Sequence, residues 1–141
     1  MMAGAQQYPY VEVDPSLGAA SALPYIPLTL QRAENSVTVS ALVDSGAALN
    51  VLPYTIGLQR GAVWEQQTIP VRLTGNLAKL EARAILVTGR LDQFPPTRLA
   101  FAWTLNNEVP VILGQVNFFM EYDVAFLRSQ LLFEVKPKEK S

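Results

Sequence analysis

A carboxylate, a hydroxyl and a glycine follow one another where an apolar run of the chain ends. The run is Ala41-Leu42-Val43, and Asp44, Ser45, Gly46 and Ala47 come directly after it. A carboxylate can take a proton from water or give one to a leaving group. A hydroxyl can hold neighbouring backbone groups, and glycine allows a sharp turn. The Asp-Ser/Thr-Gly combination occurs once in the chain.

The residue inventory excludes the commonest rival chemistries. The chain has no cysteine and no histidine, so it has no thiolate nucleophile and no Ser-His or Cys-His pair. Lys79 is the only lysine outside the C-terminal tail, which leaves little basis for a Ser-Lys pair. A zinc site would have carboxylate ligands alone, a poor set for that metal. Carboxylate acid–base chemistry remains, and we expect no metal and no cofactor.

Carboxylate chemistry on an amide needs two acidic groups. Hydrolysis by water requires a base and an acid, and two carboxylates a few Å apart serve as both when they share one proton. Such a pair titrates as a unit, because like charges that close cannot both ionise. Since the motif occurs once, a second copy of the chain would have to supply the second Asp44. This chemistry therefore predicts a homodimer.

The triplet alone is weak evidence for a site. A triplet of this kind arises by chance in on the order of one chain in ten to twenty of this length. The alternative is a generic β-barrel in which Asp44 caps a turn with its own side chain. The context favours a functional carboxylate, because Leu42-Val43 precedes Asp44 and an apolar segment, 47–52, follows it almost without interruption. A charge in such surroundings is costly unless it is paired or functional.

Short strand-like segments separated by turn residues predict an all-β barrel or sandwich. Segment 36–43 first alternates and then becomes apolar on both faces, which is typical of a strand that enters the core. Thr74-Gly75-Asn76 is expected at a hairpin tip, and 116–122 is the best helix candidate. The other predicted strands are 25–30, 49–52, 64–73, 77–87, 99–105, 111–114 and 131–135, with a helical turn within 54–61. The aromatic residues expected in the core are Trp64, Trp103, Phe118, Phe119 and Phe126.

Three motifs taken together resemble a known family. Asp44-Ser45-Gly46-Ala47, then Val51-Leu52-Pro53, then Val111-Ile112-Leu113-Gly114 are similar in order and spacing to the retropepsin-like aspartic peptidases, a single-domain, homodimeric class. The resemblance covers residues 25–135 and is closer to bacterial than to viral members. It implies an all-β, closed acid-protease barrel with one short helix near the C-terminus.

The resemblance also implies roles for individual residues. Asp44 would be the catalytic aspartate, Ser45 would make a backbone contact across the dimer, and Gly46 and Ala47 would border the main chain of a peptide substrate. A flap over the substrate would be formed by Leu73, Thr74, Gly75, Asn76 and Leu77. Leu113 and Gly114 would pack behind the catalytic loop.

Two departures from the viral pattern leave a second interpretation open. Viral members usually have an acidic residue where this chain has Ala48, and an arginine that pairs with it where this chain has Gln115. Both halves of that ion pair are missing, and Gly75 is the only glycine of the flap. The alternative is a catalytically weak or inactive protein of the same fold that binds peptides or dimerises.

Composition limits the organisation and the partners of the chain. Apolar residues make up 50% of 141 residues, charged residues 16%, and the net charge is −1, which fits one domain without a nucleic-acid-binding surface. No apolar stretch approaches the ~20 residues of a membrane span, and no basic-then-apolar leader is seen. We therefore expect a cytoplasmic protein whose partners are a peptide or protein substrate and a second copy. The expected division is an N-terminal arm over 1–23, partly flexible, a peptidase domain over 24–136 and a charged tail over 137–141.

Overall fold

A computed structural model describes residues 2–139, so Met1 of the arm and Lys140 and Ser141 of the tail lie outside the described residues. The described part of the chain is built mainly of strands, with a few short helices. The strands are β1 Gln6–Pro9, β2 Val11–Glu12, β3 Ala22–Leu23, β4 Tyr25–Arg32, β5 Asn35–Val43, β6 Asn50–Leu52, β7 Pro70–Val71, β8 Ala82–Arg90, β9 Thr97–Thr104, β10 Val111–Leu113, β11 Tyr122–Leu127 and β12 Leu132–Pro137. The α-helices are α1 Tyr54–Gln59 and α2 Phe118–Glu121, and 3-10 turns lie at Pro15–Ser21, Trp64–Gln66, Gly75–Leu77 and Arg128–Gln130.

Six strands close into a barrel. Their order is β4-β5-β10-β6-β9-β8, and β8 pairs back with β4 through Leu30 and Gly89. Most neighbours are antiparallel, but β10 runs parallel to β5 and β9 runs parallel to β6. The all-β closed barrel predicted from the sequence is confirmed, and the short helix predicted near the C-terminus is α2.

The alternation of apolar residues along the strands determines which side chains fill the closed barrel. On β4, Ile26, Leu28 and Leu30 point into the barrel and are at most 1% exposed, while the residues between them are not buried. Strand β5 starts at the surface and ends with Ala41 and Val43 in the core. Burying a side chain of the Val or Leu class contributes about 1.5–3 kcal/mol, so this strand is fixed most firmly at its C-terminal end.

The aromatic residues follow the prediction except at one position. Trp64 and Trp103 are buried and pack edge to face, with ring centroids 5.3 Å apart. Phe118 is fully buried. Phe126, which was expected in the core, is 38% exposed, although its ring lies 6.4 Å from that of buried Phe133; it stands near the end of β11, where the strand leaves the core.

The N-terminal arm is part of the fold. Strand β1 pairs antiparallel with β12, which also pairs with β11, so β12 is the middle strand of a three-stranded sheet. Within the arm, Pro15–Ser21 forms a 3-10 turn. Asp14 caps this turn by accepting a hydrogen bond from the backbone N–H of Ser16 at 3.0 Å.

A buried carboxylate on β12 fastens the arm. Glu134 accepts hydrogen bonds from Gln7 Nε2 and from the backbone N–H of Met2, both at 3.0 Å. The Gln7 side chain first, and then the Met2 N–H, hold the pKa of Glu134 below its usual value. These two hydrogen bonds contribute fully to the free energy of unfolding at pH values above the ordinary glutamate pKa. The contribution is lost as the pH falls through the lowered pKa of Glu134.

Two of the predicted extended runs are wrong in detail. Segment 64–73 opens with a 3-10 turn and contains only the two-residue β7, and the strand predicted from Leu77 begins at Ala82. Strand β7 pairs with β8 through Pro70–Arg83 and Val71–Ala82. The connection between them is therefore a ten-residue loop, 72–81, instead of a tight hairpin at Thr74-Gly75-Asn76.

Candidate active site

Strand β5 delivers Asp44 to the edge of the barrel. Val43 is buried, Asp44 is half-buried and Ser45 is exposed, so the chain leaves the core at Asp44. The backbone N–H of Asp44 donates to Leu113 O at 3.0 Å, which continues the parallel pairing of β5 with β10. The end of β10 therefore fixes the position of the Asp44 backbone, and with it the place of the carboxylate at the edge of the barrel.

The loop after β5 is a tight turn around the carboxylate. Asp44 Oδ1 accepts a hydrogen bond from the backbone N–H of Gly46 at 2.9 Å, and Asp44 O accepts one from Ala47 N at 3.1 Å. A Cβ at position 46 would lie 3.3 Å from Asp44 Oδ1, tighter than most real contacts. Within residues 2–139, Asp44 Oδ2 accepts no hydrogen bond, so one carboxylate oxygen is held and the other is open to a ligand.

Residues 114–116 hold the other side of the same loop. Gly114 is packed so closely that a Cβ there would lie 2.5 Å from Leu49 O and 2.8 Å from Ala47 O. Gln115 N donates to Ala47 O at 2.9 Å, and Gln115 Nε2 donates to Ser45 O at 2.8 Å. Gln115, which stands where viral members have arginine, thus holds the loop by two hydrogen bonds within one copy of the chain.

A buried asparagine behind the loop was missed in the sequence. Asn50 is fully buried, and its Oδ1 accepts from Gly114 N at 2.8 Å. Its Nδ2 donates to Ala100 O at 3.0 Å and to Asn117 Oδ1 at 2.9 Å. This network joins β6, β9 and the end of β10 directly behind Asp44. The signal was an amide side chain inside the otherwise apolar run 49–52, where a polar group needs a partner.

We expect Asn50→Ala to destabilise the protein by about 2–5 kcal/mol, because it leaves the buried Gly114 N–H and Ala100 O without their partner. Urea unfolding followed by fluorescence measures the loss. Asn76→Ala, at an exposed asparagine, is the matched control and is expected within about 0.5 kcal/mol of the parent chain. A loss for Asn50→Ala no larger than that of the control would show that the network does not hold the loop.

The loop 72–77 and the Asp44 loop line one cleft of about 490 Å³. Leu73 anchors the first of these loops, since it is buried and packs with Val51 and Ile112. Thr74, Gly75 and Asn76 are exposed, and Leu77 is half-buried. The structure thus brings the predicted flap residues to the predicted catalytic loop. The cleft is lined by Asp44, Gly46, Ala47, Ala48, Leu49, Val51, Ile112 and residues 72–77.

A second cavity, of about 340 Å³, also adjoins the Asp44 loop. Asp44 lines both cavities, while Ser45 lines only the second. The other lining residues of the second cavity come from segment 10–24, from β5 and from β11, and they are Tyr10, Leu23, Pro24, Leu42, Val43 and Phe126. Large apolar side chains of the arm are exposed, with Val13 at 53% and Leu17 at 60%. Asp44 therefore lies between a cleft and an apolar surface.

A metal-binding cluster of side chains and a membrane-spanning helix are both absent from the described part of the chain. Residues 2–139 hold no group of three or more Asp, Glu, His or Cys side chains placed to bind a metal ion. None of the helices formed by these residues has the length and apolar character to cross a membrane.

Comparison with known proteins identifies the fold. No protein-family model and no curated protein matches the chain. Among solved structures, the retropepsin-like aspartic protease from Rickettsia conorii superposes with a TM-score of 0.63 at 14% identity, over 93% of this chain and 90% of that one. The retroviral protease-like domain of Ddi1 from Leishmania major superposes with a TM-score of 0.55 at 17% identity, over 83% and 94%. The chain has a retropepsin-like fold.

Within this retropepsin-like fold, the functional roles depend on the local geometry, because identities this low show the fold alone. The geometry joins Asp44, Gly46 and Ala47 to the loop 72–77 in one cleft, and it places Leu113 and Gly114 behind them. The roles assigned to these residues remain predictions.

Proposed function

We propose that this retropepsin-like protein is an aspartic endopeptidase that hydrolyses peptide bonds as a homodimer. The observation that carries the proposal is Asp44, half-buried at the end of β5 and lining the cleft, with one carboxylate oxygen fixed by Gly46 N–H and the other without a hydrogen-bond partner within residues 2–139. A carboxylate held in this way is oriented before substrate arrives, which is what catalysis requires of an acid–base group.

The proposed chemistry uses two Asp44 side chains. They share one proton: the ionised carboxylate takes a proton from a water molecule, and the protonated one gives its proton to the oxygen of the scissile amide. The water oxygen attacks the carbonyl carbon and forms a gem-diol. The proton taken from the water is then delivered to the nitrogen as the C–N bond breaks, and a hydroxyl of the gem-diol returns its proton to the other carboxylate, which restores the shared proton. No cofactor takes part in this scheme.

The second copy is proposed to cover the cavity lined by Tyr10, Leu23 and Phe126. This face adjoins Asp44, and it includes the large apolar side chains of Leu23 and Phe126, each 38% exposed, which is typical of an interaction surface. The Ser45 hydroxyl is exposed and makes no hydrogen bond within residues 2–139, so it is free to bond to the partner's loop. The cleft on the other side remains open for substrate.

The proposed substrate is an extended peptide with apolar side chains beside the scissile bond. Val51, Leu73 and Ile112 give the cleft apolar walls next to Asp44. A peptide in this position can add its backbone to neighbouring strands, as extended peptides do at open sheet edges. The loop 72–77 would act as the flap and exclude water when it closes.

The alternative function is peptide binding or dimerisation without efficient catalysis. One observation motivates it: Ala48 and Gln115 lack the ion pair of the viral pattern, and Gln115 instead braces Ser45 O within its own chain. An active-site loop that is complete without a partner is compatible with a binding module.

Digestion of a peptide library across pH 3–8 separates the two functions, with products identified by mass spectrometry. We expect cleavage between apolar residues, with a maximum at mildly acidic pH where the pair carries one proton, and a decline on either side. The oligomeric state is measured in the same buffers. A stable dimer that cleaves no peptide at any pH would support the binding module and reject the peptidase.

A further inference from the structure

Arg60 carries a buried charge without a partner. It follows α1 directly, and its side chain is only 2% exposed. Its Nε and Nη1 have no hydrogen-bond partner within residues 2–139, and no ion pair of that part of the chain includes it. Buried polar groups are nearly always satisfied in folded proteins, and an isolated charge is the most costly exception. Two buried guanidinium nitrogens without a partner therefore indicate that a group from outside the chain binds Arg60.

A second arginine lies beside Arg60. Arg32, at the end of β4, lines the same cavity and donates from Nη1 to Gly61 O. Burial lowers the pKa of Arg60, and the charge of Arg32 lowers it further. Neither Asp nor Glu is among the described residues that line this cavity. The two positive charges are therefore not neutralised by the protein around them.

The cavity combines this charge with apolar walls. It has a volume of about 520 Å³, and its walls include Ile69, Ile85 and Leu86. Ile69 and Leu86 are 65% and 59% exposed, so the apolar walls of the cavity are accessible to a ligand. Guanidinium groups bind carboxylates through paired, charge-assisted hydrogen bonds, and apolar walls favour an aliphatic body. A neutral apolar ligand would leave the charge unmet, and a small hydrophilic anion would leave the walls exposed.

We propose that the cavity between Arg32 and Arg60 binds a small aliphatic carboxylate, with the carboxylate on the arginines and the hydrocarbon chain against Ile69 and Leu86. This site is separate from the active site, because its lining residues are absent from both cavities beside Asp44. Ile69 lies directly before β7, which leads into the loop 72–77. The proposed ligand therefore contacts the segment through which the chain enters the flap.

Thermal unfolding of the full chain with octanoate tests the site, with acetate and 1-octanol as probes of the charge alone and of the chain alone. A ligand that binds the folded protein raises Tm with concentration. We expect octanoate to raise Tm in this way and the two partial probes to have no such effect. No shift with octanoate, or an equal shift with 1-octanol, would overturn the proposal.

Substitution separates specific binding from a general effect of a surfactant anion. Arg60→Met keeps the aliphatic stem and removes the charge, and Arg98→Met makes the same change at an exposed arginine outside the cavity. Titration calorimetry with octanoate should show at least about tenfold weaker binding for Arg60→Met and unchanged binding for Arg98→Met. Arg32→Met is a second variant, also expected to weaken binding, for use if Arg60→Met does not fold. Equal affinity in the arginine variants and the parent chain would reject the site.

Discussion

Replacing Asp44 with asparagine should lower peptidase activity at least about a thousandfold while leaving the fold unchanged. The amide cannot take a proton from water, and in a homodimer the substitution removes both members of the pair. The amide oxygen can still accept the hydrogen bond from Gly46 N–H, so the turn keeps its geometry. Hydrolysis of a fluorogenic peptide measures the first effect, and thermal unfolding measures the second.

Asp123→Asn is the matched control for this experiment. Asp123 is an exposed aspartate on β11 without a following Ser-Gly. Its replacement should leave peptidase activity unchanged and should change the free energy of unfolding by no more than about 0.5 kcal/mol. Full activity in Asp44→Asn would show that Asp44 only caps a turn, and the proposed mechanism would be wrong. A large loss of stability in Asp44→Asn would assign the residue a structural role.

The second large effect is expected at the apolar face beside Asp44. Leu23→Asp and Phe126→Asp each place a charge in the surface proposed to meet a second copy. In a symmetric dimer every substitution occurs twice, and an unpaired buried charge is costly, so we expect dimerisation to weaken more than about a hundredfold. Sedimentation at several protein concentrations measures association, and peptide hydrolysis should fall in parallel.

Leu86→Asp controls for a general effect of a new surface charge. Leu86 is even more exposed than Leu23 or Phe126, but it lines the cavity of Arg32 and Arg60. We expect this variant to dimerise and cleave peptides like the parent chain. If Leu23→Asp and Phe126→Asp also remain dimeric and active, then the second copy binds elsewhere.

The sequence was sufficient to predict the barrel and the place of Asp44. Strand β5 shows both at once, because its change from alternating to continuous apolar residues marks where it enters the core. The close packing of Gly114 against Ala47 was also predictable, since a glycine that ends a fully apolar run commonly permits backbone contact.

Other features depend on contacts between distant residues, which local patterns do not reveal. Asn50 has hydrogen-bond partners 50 to 67 positions away in the chain, so its importance appears only when β6, β9 and β10 are assembled. The loop 72–81 contains several apolar residues, a pattern that predicts a strand. In the structure, Leu73 packs inward towards the cleft instead of pairing with β8. The pairing of β1 with β12 brings the two ends of the chain together, which no spacing rule predicts.

The position of β12 between β1 and β11 affects how the activity of the proposed homodimeric peptidase would depend on the amount of protein. All three strands come from one copy, so the sheet that joins the chain ends is complete before any second copy arrives. In the proposed homodimer, folding and association would then be separate equilibria, unlike those of a protein whose monomer cannot fold alone. When dimers are scarce, their number grows with the square of the total concentration, and so should the rate of hydrolysis. Such a peptidase would be inactive at low protein concentration and would become active where its local concentration is high.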